Sequence, residues 1–420
     1  MKNFCVIICL FLFCQCDKRN HHEDANSIPI GVLLPYSGNL SDYGISHRKA
    51  MELAVYEINK SGGIYGKDIS LLVKDTETND DVAVEKANEL ISLDAIALIG
   101  ISQLTANIAV AEKVAIPNKI LLIATNQANQ NLSVLGTDNP NDYTYNLLFT
   151  EEFLAKRSAN YLSGIFPSSI VGIIYQDNEL GNSIADPFAF YMEEYGMQCI
   201  KAPYPELNEK ESEEYNFSPI ISAMMESKPN LIYMITYEED GVRISYELNK
   251  YISSDNPLSF LGYETNKTEK FFAGASSQVT NGMYFTGYFE QIGQQNYDKF
   301  KTAYIERYDE SPTASSELAY DAVYLTAYSL MSLGNFDPDT LTSKVSRQMS
   351  NKINAITQGT NVVNVNEFAS GVSYLQKGET INYHGASGDI SFDNRGNAIY
   401  PALGFVQYKN GSLVLVQKFN

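Results

Sequence analysis

Along most of the chain the apolar residues follow two patterns in turn: short continuous runs, and recurrence at helical spacing. An apolar run, 30–34, ends at Pro35, and apolar residues then recur at helical spacing until Gly62 and Gly63. Short apolar runs indicate buried strands, and a period of 3.6 residues indicates an amphipathic helix. A second apolar run follows at 69–73. The first unit is therefore predicted to be a strand, a helix and a parallel strand.

The same alternation continues and predicts an α/β protein with parallel sheets. Further strands are predicted at 95–100, 120–124, 171–175, 198–202, 231–236, 258–263 and 282–286. Helices are predicted at 80–93, 106–115, 181–196, 217–226, 241–251, 295–308 and 315–333. Two polar stretches, 129–144 and the acidic 206–214, are predicted to be loops. Asn410 and Gly411 lie between two alternating apolar runs, which is a strong hairpin signal.

The length of the chain favours two lobes, each with its own core. At 420 residues it exceeds the roughly 250 to 300 residues beyond which single cores usually split. The apolar fraction of 44% is ordinary for a soluble α/β protein. A net charge of −20 repels phosphate backbones and anionic lipid surfaces, which argues against nucleic-acid binding.

The N-terminus has the composition of an export signal. Lys2 precedes an apolar run, Phe4 to Phe13, that is too short to cross a bilayer as a helix. We expect residues 1–16 to be a signal peptide and the polar residues 17–27 to be a flexible tether. Only Cys199 lies in the body of the chain, so neither a disulfide framework nor a cysteine metal site is predicted.

A catalytic interpretation lacks the necessary residues. The chain has no GxSxG elbow, no GxxxxGK[ST] phosphate loop and no GxGxxG motif opening a helix. Of its four histidines, His47 is predicted to be a solvated surface group and His384 to be a hydrogen-bonded structural residue. We therefore predict a binding protein, not an enzyme, without a cofactor or a metal site.

Several motifs in the first unit match one known family. They are a strand ending in Pro35, Ser37-Gly38, Tyr43-Gly44, LAVYEIN at 53–59, Gly62-Gly63 and Gly66. This set of motifs resembles the periplasmic leucine/isoleucine/valine-binding family, whose members deliver ligands to ABC importers. The similarity extends from residue 28 to about residue 418, including HGASGDISFDNRGNA at 384–398.

The resemblance implies the type I periplasmic binding fold, with two Rossmann-like lobes joined by three crossings near Thr150, Thr286 and Gly385. The N-terminal lobe would comprise 28–149 plus 287–384, and the C-terminal lobe 150–286 plus 385–420. A cysteine where the apolar run gives way to polar chain resembles a bacterial lipoprotein cleavage site. Cys16 fits this best because polar chain begins directly after it, although Gln15 and Phe13 depart from the usual small residue and Leu of such a site. Cys14 is an alternative, and a plain exported protein or an uncleaved N-terminus are the competing interpretations.

On the first lobe, the resemblance implies a ligand site in the loops that follow two strands. Ser102 and Thr105 keep the family's Ser-x-x-Thr spacing, and a hydroxyl with N–H groups at a helix start can donate to a carboxylate. A helix cap alone is the competing interpretation of Ser102. Ala128 stands where the family has a carboxylate-binding Thr, whereas Asn126 adds an amide. The pocket is therefore expected to be more polar than one for branched-chain amino acids.

On the second lobe, Tyr237 and Glu264 match family positions that close over the ligand. Tyr237 would meet the ligand's backbone and Glu264 its ammonium, because a carboxylate that is desolvated on closure needs a cationic partner. The competing interpretation of Glu264 is a surface loop residue. Leu180 replaces the family's Tyr that packs on the ligand.

These features predict an extracytoplasmic solute-binding protein of the periplasm or cell envelope. It would capture a small polar ligand, an amino acid first of all, by closing its cleft and would deliver that ligand to an ABC permease. The first alternative is a ligand sensor or receptor-type binding protein for amides or other small solutes. The second, a secreted hydrolase, lacks any nucleophile and base signature.

Overall fold

The structure is a computed structural model. It describes residues 27–37, 41–101, 104–125, 143–148, 150–207, 209–254, 257–287, 295–313, 315–334, 343–399 and 404–418. The predicted signal peptide and almost all of the tether lie outside these residues.

The first part of the chain alternates strands and helices as predicted. It forms β1 (Ile28–Leu34), α1 (Ser41–Lys60), β2 (Ile69–Asp75), α2 (Asp80–Ser92), β3 (Ala97–Gly100), α3 (Leu104–Val110), a π-helical turn (Ala111–Ala115), α4 (Ile116–Asn118), β4 (Leu121–Ala124) and β5 (Thr144–Asn146). All pairs in this sheet are parallel, in the order β2-β1-β3-β4-β5. Its central strands are buried on both faces because helices cover the sheet on both sides.

The second part repeats the same plan. It forms α5 (Glu151–Ile165), β6 (Ile170–Asp177), α6 (Glu179–Glu194), β7 (Gln198–Pro205), α7 (Glu209–Glu214), α8 (Ser218–Met225), β8 (Leu231–Ile235), α9 (Glu238–Asn249), β9 (Ser259–Gly262), a 3₁₀ turn (Glu264–Asn266), α10 (Glu269–Gly274), α11 (Ser277–Thr280) and β10 (Tyr284–Gly287). The parallel order β7-β6-β8-β9-β10 has the topology of the first sheet.

The last part contributes to both halves. It forms α12 (Gln295–Tyr308), α13 (Ser316–Met331), α14 (Ser343–Ser350), α15 (Ile353–Ile356), β11 (Asn361–Val363), α16 (Phe368–Gln376), β12 (Ile381–Gly385), β13 (Gly388–Asp389), β14 (Ser391–Phe392), β15 (Ala398–Ile399), β16 (Gly404–Lys409) and β17 (Ser412–Lys418). Helix α13 packs on α1 and β3 and is buried along its whole length. Strands β16 and β17 form the predicted hairpin around Asn410-Gly411 and add antiparallel strands to the second sheet.

The structure corrects three expectations. Residues 151–165, for which no element was predicted, form α5, whose first turn is capped by the Thr150 hydroxyl accepting from the Phe153 N–H at 3.1 Å. The acidic stretch 206–214 is partly helical in α7, because buried Ser212 donates to the carboxylate of Asp240. His47 is fully buried in α1 instead of solvated, since its face of the helix is turned towards the core.

Candidate functional site

A pocket lies at the carboxyl ends of the second sheet's strands, where the order turns from β6 to β8. In sheets of this topology, ligands bind in the crevice at that switch point. The pocket is a partly open concave surface, and the empty space beside its lining atoms, open solvent included, is about 230 Å³. It is lined by Gln176, Asn178, Leu180, Gly181, Ile235, Thr236, Tyr237, Tyr263 and Thr265. None of these lining residues carries a charged side chain.

The start of α6 orients two amides on one wall of the pocket. Asn178 caps the helix, and its Oδ1 accepts a hydrogen bond from the Gly181 N–H at 2.8 Å. The Asn178 Nδ2 is thereby directed at Gln176 and donates to its Oε1 at 2.7 Å. Gly181 must lack a side chain, because a Cβ there would lie 1.9 Å from the Gln176 carbonyl oxygen.

The loops after β8 and β9 are fastened to each other on the opposite wall. The Thr265 hydroxyl donates to the Thr236 carbonyl at 2.7 Å, and Asn266 Nδ2 donates to the same carbonyl at 3.0 Å. Asn266 is fully buried, so this loop pair is anchored to the core. The hydroxyl oxygen of Thr265 remains able to accept a hydrogen bond from a bound molecule.

Two tyrosines stand at the rim of the pocket. Tyr237 precedes α9 and keeps 44% of its surface exposed, so its ring is accessible to a ligand. Tyr263 follows β9 and donates its hydroxyl to Glu151 Oε1 at 2.8 Å. Glu151 begins α5, so this bond ties the pocket rim to the helix after Thr150.

On the first sheet, the loop after β1 is held by a carboxylate at the end of β2. Asp75 Oδ1 accepts from the Tyr36 N–H at 2.8 Å, and Oδ2 accepts from the Ser37 hydroxyl at 2.9 Å. Burial acts to raise the pKa of Asp75, but these donors and the Glu77 N–H outweigh it and hold the pKa below its ordinary value. Asp75 therefore stays ionised at neutral pH and fixes this loop.

The predicted site residues of the first lobe are described only in part. The Thr105 hydroxyl donates to Asp80 Oδ1 at 2.8 Å and so joins α3 to the start of α2. Ser102, Asn126 and Ala128 lie outside the described residues. The contact of these four residues with a ligand stays a prediction.

On the second lobe, Tyr237 is one of the residues that line the pocket. Glu264 begins the 3₁₀ turn beside lining residues Tyr263 and Thr265, and its side chain is not among the described groups. Cys16, predicted to be the lipidation site, is also outside the described residues. The roles of all three stay predictions.

Only two of the nine lining residues, Leu180 and Tyr237, were singled out from the sequence; the seven others include Gln176, Tyr263 and Thr265. Each of these three lies at or just beyond the end of a strand, at the same edge of the sheet as Tyr237. That position was the available signal, because the carboxyl ends of parallel strands converge at one edge. Side-chain type alone does not separate these residues from ordinary loop residues.

Two negative findings concern the described residues only. In that part of the chain no group of three or more His, Cys, Asp or Glu side chains is arranged to hold a metal ion. The helices described there include none that is long and apolar enough to cross a membrane.

Comparison with known proteins gives a consistent result. A family model described as periplasmic binding protein matches residues 27–411. The Leu/Ile/Val-binding protein homolog 8 of Brucella abortus is 25% identical over 338 residues, which cover 76% of this chain and 79% of the homolog.

Solved structures of similar fold cover nearly the whole chain. The leucine-binding protein LivK from Thermotoga maritima has a TM-score of 0.65 and 19% identity, covering 94% of this chain and 99% of its own. The substrate-binding protein LivJ from Streptococcus pneumoniae, solved in complex with isoleucine, has a TM-score of 0.64 and 22% identity, covering 93% and 99%. At these identities the structures establish the fold, and the predicted fold class is confirmed.

Proposed function

This chain belongs to the periplasmic binding protein family, and on that premise we propose that it is an extracytoplasmic solute-binding protein for an ABC importer. Its ligand is a small polar molecule, an amino acid first of all. The relatives support that class: one carries Leu/Ile/Val-binding in its name, and another was solved with isoleucine. The protein binds its ligand and hands it on without chemical change.

The pocket at the β6 and β8 strand ends is the observation that carries this proposal. It places polar residues and apolar surface from Leu180 and Ile235 around one partly open concave site. A small concave site with few oriented polar groups suits capture of a small solute.

We further propose that binding closes two lobes, 28–149 plus 287–384 and 150–286 plus 385–420, over the ligand. Closure would bring Ser102 and Asn126 against Tyr237 and Glu264. The ligand selects the closed state because only that state makes contacts from both lobes. A membrane permease would then recognise the closed form.

A thermal-shift screen over amino acids, amides and short peptides tests the proposal. At a hundredfold excess over its dissociation constant, a ligand should stabilise the folded protein by about 2.7 kcal/mol. Small-angle scattering should show a more compact particle with that ligand. Absence of any stabilising compound in the panel would contradict amino-acid binding, and saturation without compaction would contradict lobe closure.

Tyr237→Ala tests whether the ligand found in the screen binds in this pocket. This variant should bind the best ligand with an affinity at least tenfold lower, because the Tyr237 ring lines the pocket. Tyr195→Ala is a matched control, since Tyr195 is 43% exposed against 44% for Tyr237 but does not line the pocket. Equal affinities of the two variants would mean that the ligand binds elsewhere.

We also propose that the protein is anchored to a membrane by a lipid on Cys16. The apolar run that ends at Phe13 and the polar chain that begins directly after Cys16 support this assignment. Cys16→Ala should move the protein from the membrane fraction to the soluble periplasmic fraction. Cys14→Ala is the comparison: if only that variant is released, the lipidated residue is Cys14.

A further inference from the structure

Gln176 presents a buried amide to the candidate pocket. The residue lines the pocket although only 3% of its surface is exposed. Its Nε2 is buried and has no hydrogen-bond partner among the described residues. Buried polar groups in proteins are nearly always hydrogen-bonded, so an unmatched one in a pocket points to a bound molecule.

The orientation of this amide follows from backbone geometry. The Gly181 N–H can only donate, so it fixes the oxygen of the Asn178 amide on its own side. The Asn178 Nδ2 must then donate to the oxygen of Gln176. This chain of bonds occupies Gln176 Oε1 and leaves the Nε2–H group as the part of the amide that has no partner among the described residues.

We propose that Gln176 is a specificity-determining residue that donates from Nε2 to an acceptor oxygen in the ligand's side chain. The inference rests on the proposed function, in which Ser102 takes the ligand's carboxylate and Glu264 its ammonium. Because those two residues take the ligand's charged groups, the Gln176 donor is left to bind the ligand's side chain. The ligand class is therefore an amino acid whose side chain carries an amide, carbonyl or carboxylate oxygen, and not a branched-chain aliphatic one.

An aliphatic side chain bound at this position would cover Nε2 without offering an acceptor. A binding site that hydrogen-bonds its substrate rejects analogues lacking the partner, because its own buried polar group is left unpaired. We expect discrimination of at least tenfold, the affinity ratio that corresponds to about 1.4 kcal/mol.

Two pairs of amino acids of matched shape test the proposal by calorimetry. Asparagine and leucine have the same branching, and glutamine and methionine the same length. The wild type should bind the amide member at least tenfold more tightly in one pair or both. Gln176→Met should abolish that preference, since it keeps the length but removes the donor.

A second variant separates the donor from the fold. Gln176→Glu retains an oxygen for Asn178 but replaces the donor by an acceptor. Aspartate and glutamate, whose side-chain carboxylates only accept, should therefore bind the folded variant at least tenfold more weakly than the wild type, whereas asparagine and glutamine can still donate to it. Gln407→Met is the control, because the Gln407 Nε2 is already bonded to the Gly282 carbonyl at 2.6 Å and lies on β16. The control should keep the wild-type preference.

The outcomes are distinguishable. If the wild type binds amino acids but does not prefer the amide members, or if Gln176→Met keeps that preference, this inference is overturned and the proposed function stands. If the folded wild type binds no amino acid at all, the proposed function fails and the inference fails with it.

Discussion

Replacing Asp321 by asparagine should destabilise the protein markedly. Asp321 lies on α13 and has no exposed surface. Its Oδ1 accepts from the Tyr383 hydroxyl and the Ala386 N–H, each at 2.8 Å. Its Oδ2 accepts from the N–H and the hydroxyl of Ser387, at 2.8 and 2.6 Å. The carboxylate therefore fastens the turn between β12 and β13 to the central helix.

The magnitude follows from the number of donors. Burial raises the pKa of Asp321 to about 6, so at pH 7 the group is mostly ionised and both oxygens accept. In Asp321→Asn the amide NH₂ group faces one N–H, which can only donate, and one hydroxyl, which can turn to accept. Each lost bond to a charged group is worth roughly 1.5 to 3 kcal/mol, and removal of a buried charge offsets part of this. We expect a net loss of about 3 kcal/mol.

Urea denaturation followed by far-ultraviolet circular dichroism measures the effect. Asp298→Asn on α12 is the matched control, because Asp298 is exposed and its substitution should stay within about 0.5 kcal/mol of the wild type. A result for Asp321→Asn within about 1 kcal/mol of that control would refute the argument, since it would mean that the donors find other acceptors. Close packing supports the assignment: a Cβ on Gly385 would lie 2.4 Å from the carboxylate.

Three further predictions concern the core and the site. Burial raises the pKa of Glu57, so its contribution to stability is present below its unfolded pKa and is lost as pH rises through the folded value. In urea denaturation at a series of pH values above about pH 4, Glu57→Gln should lose less stability with rising pH than the wild type does. An equally steep decline in the two proteins would contradict this. Gly181→Ala should weaken ligand binding by displacing α6 from the Gln176 carbonyl, whereas Gly164→Ala, with open space around its Cβ, should not. Glu264→Gln should reduce amino-acid affinity by about 2 to 5 kcal/mol in calorimetry, and unchanged affinity would favour a neutral ligand such as an amide.

The sequence by itself determined most of the regular elements and the edge of the second sheet at which the candidate pocket lies. Strands such as 231–235 and helices such as 295–308 were predictable because period and apolar content are local properties of the chain. The carboxyl-end location followed from strand order, which βαβ units imply. Helix α5 was missed because its buried face is not wholly apolar: Ser158 lies on it between Leu154 and Leu162.

Only the tertiary structure decided which polar groups are hydrogen-bonded and which residues line the pocket. His47 reads as a surface residue in the sequence, but packing of α1 on the core buries it. Asp321 is one of many carboxylates in the chain, and its partners lie more than sixty residues away. The amide of Gln176 is oriented by a helix cap two residues away, yet its burial depends on strands and loops distant in sequence. Hydrogen-bond satisfaction is a property of the folded neighbourhood, and residue type alone does not determine it.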